Sequence, residues 1–137
     1  MNIHQLPLTP FRTPFFLANP HVQTILPKFI KLPKPNYQRH LHSDRTGTTQ
    51  VAYDFVFANT DNQPNLDKPL AVMFHGLEGS SDSHYAIAFT HQAHRLGYDA
   101  VIVHFRGCGG VDNTSELDYN AGDTAEAVHM FDLLKTQ

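Results

Sequence analysis

The sequence predicts an α/β fold in which an antiparallel pair of strands is followed by parallel strands joined by crossover helices. Three observations lead there. Over Gln50–Ala58, Val51, Tyr53, Phe55 and Phe57 alternate with Ala52, Asp54 and Val56, the period of a strand. Leu70–Phe74 and Ala100–Val103 are instead continuously apolar, as strands covered on both faces by helices are. A helical pattern separates those two runs, and parallel strands need such a crossover.

The elements follow in order. Six of the nine prolines, at positions 7, 10, 14, 20, 27 and 33, remove backbone donors early in the chain. Residues 1–36 therefore read as an extended, Pro-rich arm with at most short helical turns, and residues 37–137 as the core. A first strand is expected near Tyr37–His42, and a turn over Ser43–Thr49, containing Gly47, leads into Gln50–Ala58. Asn59–Lys68, with Pro64 and five Asx residues, is a loop by composition. After Leu70–Phe74, Ser83 is placed to cap a helix whose Ala86, Phe89, Ala93 and Leu96 share one face and whose end is Gly97 in a left-handed turn. A strand over Asp99–Phe105 completes a βαβ unit. Asp123 and Glu126 then form a capping-box-like pair before Ala127, Met130, Phe131 and Leu134, predicting a helix over Asp123–Lys135.

Composition narrows the function classes. The 137 residues are 41% hydrophobic, enough for a globular core, and ten Lys and Arg against thirteen Asp and Glu give a net charge of −3. The charges are scattered, so no footprint for nucleic acid is present. No apolar run approaches the roughly 20 residues that span a bilayer, and Phe15, Phe16 and Leu17 form only a short greasy patch. The single cysteine, Cys108, cannot close a disulfide within the chain; a reducing, cytoplasmic setting is expected.

Two loops carry the chemistry. His75-Gly76-Leu77-Glu78-Gly79-Ser80 breaks the strand ending at Phe74, and His104-Phe105-Arg106-Gly107-Cys108-Gly109-Gly110 breaks the next one. In an open α/β sheet both lie on the carboxyl edge, where ligands bind. Small residues there leave backbone N–H groups able to receive a developing oxyanion.

Asn19-Pro20-His21-x-Gln23-Thr24, the run His75 to Ser83, His104-Phe105-Arg106-Gly107-Cys108 and Gly122-Asp123-Thr124 occur in order and resemble the successive signatures of the α/β-hydrolase-domain esterases. The likeness covers the chain from about residue 14. It implies the N-terminal half of an α/β-hydrolase fold, with strand order 1-2-4-3, so that residues 37–137 form an incomplete core. It also implies a serine esterase or lipase-like activity on short- or medium-chain or lipid-like carboxylic esters, without a cofactor. The Leu77 N–H would be an oxyanion donor supported by His75, Gly76, Glu78 and Gly79, and Arg106, Gly107 and Cys108 would form the edge of the pocket.

None of the Ser-Asp-His triad is identified. No Gly-x-Ser-x-Gly occurs, and Ser43, Ser80, Ser81, Ser83 and Ser115 lack the flanking glycines of a nucleophile elbow. Cys108 has Arg106 where an elbow needs glycine, and reads as a small buried thiol. Arg106 reads more simply as a strut between loops than as a ligand group, and Asp123 as a helix cap. His91 with His94, and His40 with His42, offer two ligands each without a third, so no metal is expected. His75 supports the loop and is not the triad base; no role for Glu78 follows from the residues. The alternative to a hydrolase is a catalytically inactive truncated fragment or interaction module, and the exposed edge Leu70–Phe74 is a place for self-association.

Overall fold

The structure, a computed structural model, describes residues 10, 12–59, 63–64, 67–77, 79–120 and 122–136. The chain divides into two compact units, residues 1–31 and 32–137.

In the first unit a 3₁₀ turn, Phe15–Leu17, precedes helix α1, Pro20–Phe29. The expectation of an extended arm with only short turns is corrected by this ten-residue helix. Pro20 occupies the first helical position, where a missing N–H costs nothing. Asn19 caps it, its side-chain oxygen accepting from the N–H groups of His21 and Val22. Pro27 lies in the last turn, and the helix ends two residues later.

The second unit holds β1 (Gln38–Ser43), β2 (Gln50–Val56), β3 (Leu70–Phe74), α2 (His84–Arg95), β4 (Asp99–Val103) and α3 (Thr124–Lys135). The strands form one sheet in the order β1-β2-β4-β3. β1 and β2 are antiparallel, from Gln38 opposite Phe55 to Ser43 opposite Gln50. β2 and β4 are also antiparallel, while β3 and β4 run parallel with Leu70 opposite Asp99 and Phe74 opposite Val103. The mixed sheet is the predicted architecture.

Val51, Tyr53, Phe55 and Phe57 pack with Val101, Val103, Phe105 and Met130 into the core. Ala52 and Asp54, which alternate with that apolar set along β2, are buried too, because β2 lies inside the sheet between β1 and β4. β4 is buried along its whole length, whereas every residue of the edge strand β3 is only half-buried. α2 ends in a left-handed turn at Gly97 (φ 71°). Its Ser83 precedes the helix as expected but does not cap it; the Ser83 hydroxyl oxygen accepts the Ser80 N–H at 3.1 Å instead. Asp123 does cap α3, accepting from the Glu126 N–H at 3.0 Å. Leu96 and Phe131, expected in the core, are 54% and 44% exposed, since each lies at the rim of its helix's packed face. Among the described residues no helix is long and apolar enough to cross a membrane.

Met130 is fully buried and Leu96 is not, so the two separate packing from composition. Met130→Ala is expected to cost about 2–5 kcal/mol in urea unfolding, and Leu96→Ala less than about 1 kcal/mol. Equal losses at both positions would contradict this placement of the core.

Candidate functional site

β3 and β4 are parallel, so the loops that follow Phe74 and Val103 leave the same edge of the sheet. The first is held from below by His75, which is buried. Its Nε2 accepts the Phe105 N–H at 3.2 Å, which places the ring proton on Nδ1, 2.7 Å from the Gly76 carbonyl oxygen that accepts it. One neutral imidazole thus ties the two loops together. The Gly76 N–H donates to the Tyr85 hydroxyl at 3.0 Å, and the Gly79 N–H to the Gly76 carbonyl at 2.9 Å. A side chain at Gly79 would collide with that same Tyr85 hydroxyl. The Ser80 and Ser81 N–H groups are taken by Ser83 Oγ and His104 Nε2. Among the described residues the Leu77 N–H carries no hydrogen bond, and its side chain is 82% exposed. Glu78 lies outside the described residues.

Below the loops stands a polar cluster centred on Asp54, which is 1% exposed. Arg39 grips it bidentately, Nε to Oδ1 and Nη2 to Oδ2, both at 2.7 Å, and Ser81 Oγ donates to Oδ2 at 2.6 Å. The remaining Arg39 nitrogen, Nη1, donates to the Gly109 carbonyl at 2.7 Å. Burial pushes the Asp54 carboxyl up, but the bonds from Arg39 and Ser81 outweigh it and hold the carboxyl below its ordinary value. His104, fully buried, donates from Nδ1 to the Ala52 carbonyl at 3.0 Å and accepts the Ser81 N–H on Nε2 at 3.1 Å. Burial lowers its pKa, so the ring stays neutral. Gly109 has φ 66°, and its missing side chain leaves the space filled by the His104 ring.

Ser81, His104 and Asp54 have the composition of a catalytic triad without its wiring. A nucleophile needs its hydroxyl proton to face a base with a free lone pair. Here the Ser81 proton goes to Asp54, and both His104 nitrogens are engaged with backbone groups. The cluster is a brace.

Arg106 is 3% exposed and points into a second cluster. Its Nε donates to Asp44 at 2.7 Å, Nη1 to Asp123 at 3.1 Å and Nη2 to Glu126. Glu126 is thereby drawn away from the reciprocal capping-box bond and accepts from the Arg45 N–H at 3.2 Å. Asp44 also accepts from Thr46 Oγ1 at 2.7 Å and the Thr48 N–H at 3.1 Å. One guanidinium therefore joins the β1–β2 turn, the second loop and the N-terminus of α3.

A cavity of about 370 Å³ opens between the loops, lined by Gly79–Asp82, Gly107–Gly110 and Arg39. Gly107 and the half-buried Cys108 line it; the Arg106 side chain is spent in its salt cluster instead. His91 Nε2 lies 2.8 Å from the Pro33 carbonyl oxygen, and with His94 it borders a separate groove beside Phe57. The His40 and His42 rings stand 6.4 Å apart on β1. Among the described residues no three His, Cys, Asp or Glu side chains gather where they could hold a metal ion. Arg39 and Asp54 were not singled out from the sequence as a pair. The available signal was a lone carboxylate in an otherwise apolar strand.

No family model matches the chain. Relatives do. The chain is 36% identical over 115 residues to "Putative esterase YheT" of Escherichia coli (strain K12), covering 80% of this chain and 32% of that protein. It is 28% identical over 114 residues to an abhydrolase domain-containing protein of Dictyostelium discoideum, covering 81% of this chain and 28% of that one. It is 25% identical over 122 residues to embryogenesis-associated protein EMB8 of Picea glauca, covering 85% and 27%. The chain thus spans less than a third of the length of these curated relatives. The structure of an alpha-beta serine hydrolase homologue from Coxiella burnetii superposes with a TM-score of 0.54 at 14% identity, over 77% of this chain and 48% of that one.

Two predictions follow from the buried clusters. Asp44 and Asp123 are held below the ordinary carboxylate value of 3.8, Asp44 by Arg106, Thr46 and turn amides against its burial, Asp123 by the Glu126 N–H and Arg106. Carboxyls with depressed folded pKa values contribute stability that is complete above 3.8 and lost as pH falls below it. Arg106→Met is therefore expected to cost about 3–5 kcal/mol at neutral pH and to flatten the acid limb of the stability profile in urea unfolding; an unchanged limb would contradict the assignment. His104 is expected to show an Nδ1-protonated ring by nitrogen-resolved NMR, with no titration at the ordinary histidine value of 6.5.

Proposed function

We propose that this chain, which belongs to the α/β-hydrolase family, supplies the oxyanion side of a carboxylic-ester hydrolase whose nucleophile is carried by further residues of a longer polypeptide. The observation that carries the reading is the selective use of amides after Phe74. Those of Gly76, Gly79, Ser80 and Ser81 are engaged, and the Leu77 N–H has no partner among the described residues. A donor left uncommitted in a braced loop is what charge developing on a carbonyl oxygen requires, because it needs no reorganisation when the charge appears.

In this reading a nucleophile attacks the ester carbonyl, and the electron pair moves onto the carbonyl oxygen, which the Leu77 N–H then holds. His75 fixes the loop at its base, Gly76 and Gly79 let the backbone turn beneath Tyr85, and Gly107 and Cys108 form the opposite wall. Collapse of the tetrahedral species expels the alcohol, and water releases the acid. The substrates proposed are short- or medium-chain acyl esters and lipid-like esters, and the setting proposed is the cytoplasm. The similarity to a protein named as an esterase supports the reaction class.

A fluorophosphonate probe is expected to leave the 137-residue chain unlabelled and to label a longer polypeptide carrying the elbow serine. In that longer polypeptide Leu77→Pro, which deletes the N–H, is expected to lower kcat by about 10²–10³-fold, while Leu77→Ala, which keeps it, changes kcat little. Equal effects of the two variants would contradict the oxyanion role. No ester turnover by a polypeptide with an intact elbow would leave an interaction module as the better reading.

A further inference from the structure

We infer that Tyr85 is a positioning residue for ester attack: its hydroxyl fixes the backbone from which the Leu77 N–H projects. The inference rests on the oxyanion reading of Leu77 given above, and every contact that carries it is made within residues 75–85. Leu77 follows a glycine, which has no Cβ to bias its two torsions. The direction of the Leu77 N–H is therefore only as fixed as the peptide planes on either side of Gly76. A trans peptide is planar, with its C=O and N–H pointing opposite ways, so a bond to the Gly76 carbonyl aims the Leu77 N–H as well. That carbonyl receives two, from His75 Nδ1 at 2.7 Å and from the Gly79 N–H at 2.9 Å. The other plane, between His75 and Gly76, is held by Tyr85, whose hydroxyl accepts the Gly76 N–H at 3.0 Å. Planes held on both sides leave Gly76 no free torsion.

Helix geometry brings the phenol there. Tyr85 is the second residue of α2, and side chains of a helix lean toward its N-terminus, which here means back over the loop. The ring packs edge-on against His84 at 5.5 Å between centroids, and its polar tip reaches the backbone. Gly79 is the second observation. Its φ lies outside the left-handed region, so its backbone conformation does not demand glycine. The seat of the phenol does: a Cβ at position 79 would overlap the Tyr85 oxygen, whereas the Gly76 carbonyl oxygen and His75 Cβ would stand at 3.0 and 3.1 Å, tight without overlap. One oxygen thus explains both the missing side chain at 79 and the fixed plane at 76. His75 and Gly79 brace the loop from within it, and Tyr85 ties it to the helix that follows.

The test uses the longer polypeptide that carries the elbow serine, and reads kcat and KM for p-nitrophenyl acetate beside inhibition by a trifluoromethyl ketone, which forms a tetrahedral anion on a serine. Tyr85→Phe keeps the ring and removes one oxygen. It is expected to lower kcat about 3- to 10-fold, the worth of one hydrogen bond, and to weaken the ketone by the same factor. KM is expected to stay within about twofold, because the loss falls on the transition state. Gly79→Ala, whose methyl displaces the phenol, is expected to lower kcat too, and to cost less when added to Tyr85→Phe than by itself. In the amide NMR spectrum Tyr85→Phe is expected to move the Gly76 proton upfield. An unmoved Gly76 proton, a rise in KM at constant kcat, or kcat and ketone affinity both unchanged overturns the inference and leaves the ester reading standing. An unsubstituted polypeptide that binds the probe nowhere and turns over no ester overturns both. Where Tyr85→Phe fails to fold, Gly79→Ala decides: full kcat and full ketone affinity in that variant overturn the inference.

Discussion

A carboxylate buried in an inner strand is the constraint on which the rest of this structure depends. Asp54 sits on β2 among apolar neighbours, and a lone carboxylate there would be far too costly to keep ionised. Arg39 across the β1–β2 pair and Ser81 from the first loop remove that cost with three hydrogen bonds. In doing so they fix two things that are far apart in sequence. Ser81 is pinned, and with it the end of the loop after β3; Arg39 is pinned, and its third nitrogen holds the Gly109 carbonyl of the loop after β4. Because an unpaired buried charge is expensive, neither loop can leave without the whole cluster failing.

Histidines complete the brace in a way that charge could not. His75 and His104 each accept a backbone N–H on one nitrogen and lie within hydrogen-bonding distance of a carbonyl oxygen on the other. Only a neutral imidazole can do both. Each ring therefore acts as a two-ended connector between segments, His75 from the first loop to the second, His104 from the second back to the first and to β2. The loops that form the candidate site are in this sense a single body, and the cavity between them has walls that cannot move independently. The Arg106 cluster performs the same task one layer away, anchoring the start of α3 and the β1–β2 turn to the second loop.

Much of the fold was legible in the residues, and the physical reasons differ by element. Leu70–Phe74 and Asp99–Val103 were readable because an apolar run too short for a helix and bounded by loops has few other uses. The caps were readable unevenly. Asp123 behaves as its type and position suggest, whereas Ser83 has a competing local partner in the Ser80 N–H, and a hydroxyl with two short-range choices cannot be assigned from type alone. The helix Pro20–Phe29 was obscured because proline lowers helix propensity everywhere except at the first turn, where it is favourable. Leu96 and Phe131 were misplaced because periodicity identifies a face but not how far the packed surface extends across it.

By itself the sequence determined the strand and helix types, the left-handed stop at Gly97, and the two small-residue loops on one edge, since each follows from local sterics or periodicity. Only the tertiary structure decided which amides of the first loop are spent among the described residues, that Arg106 serves three carboxylates, and that Ser81, His104 and Asp54 form a brace with no nucleophile. Those outcomes depend on direction as well as identity. A hydrogen bond is set by where a proton points, and for residues dozens of positions apart that is fixed only when the chain has closed around them.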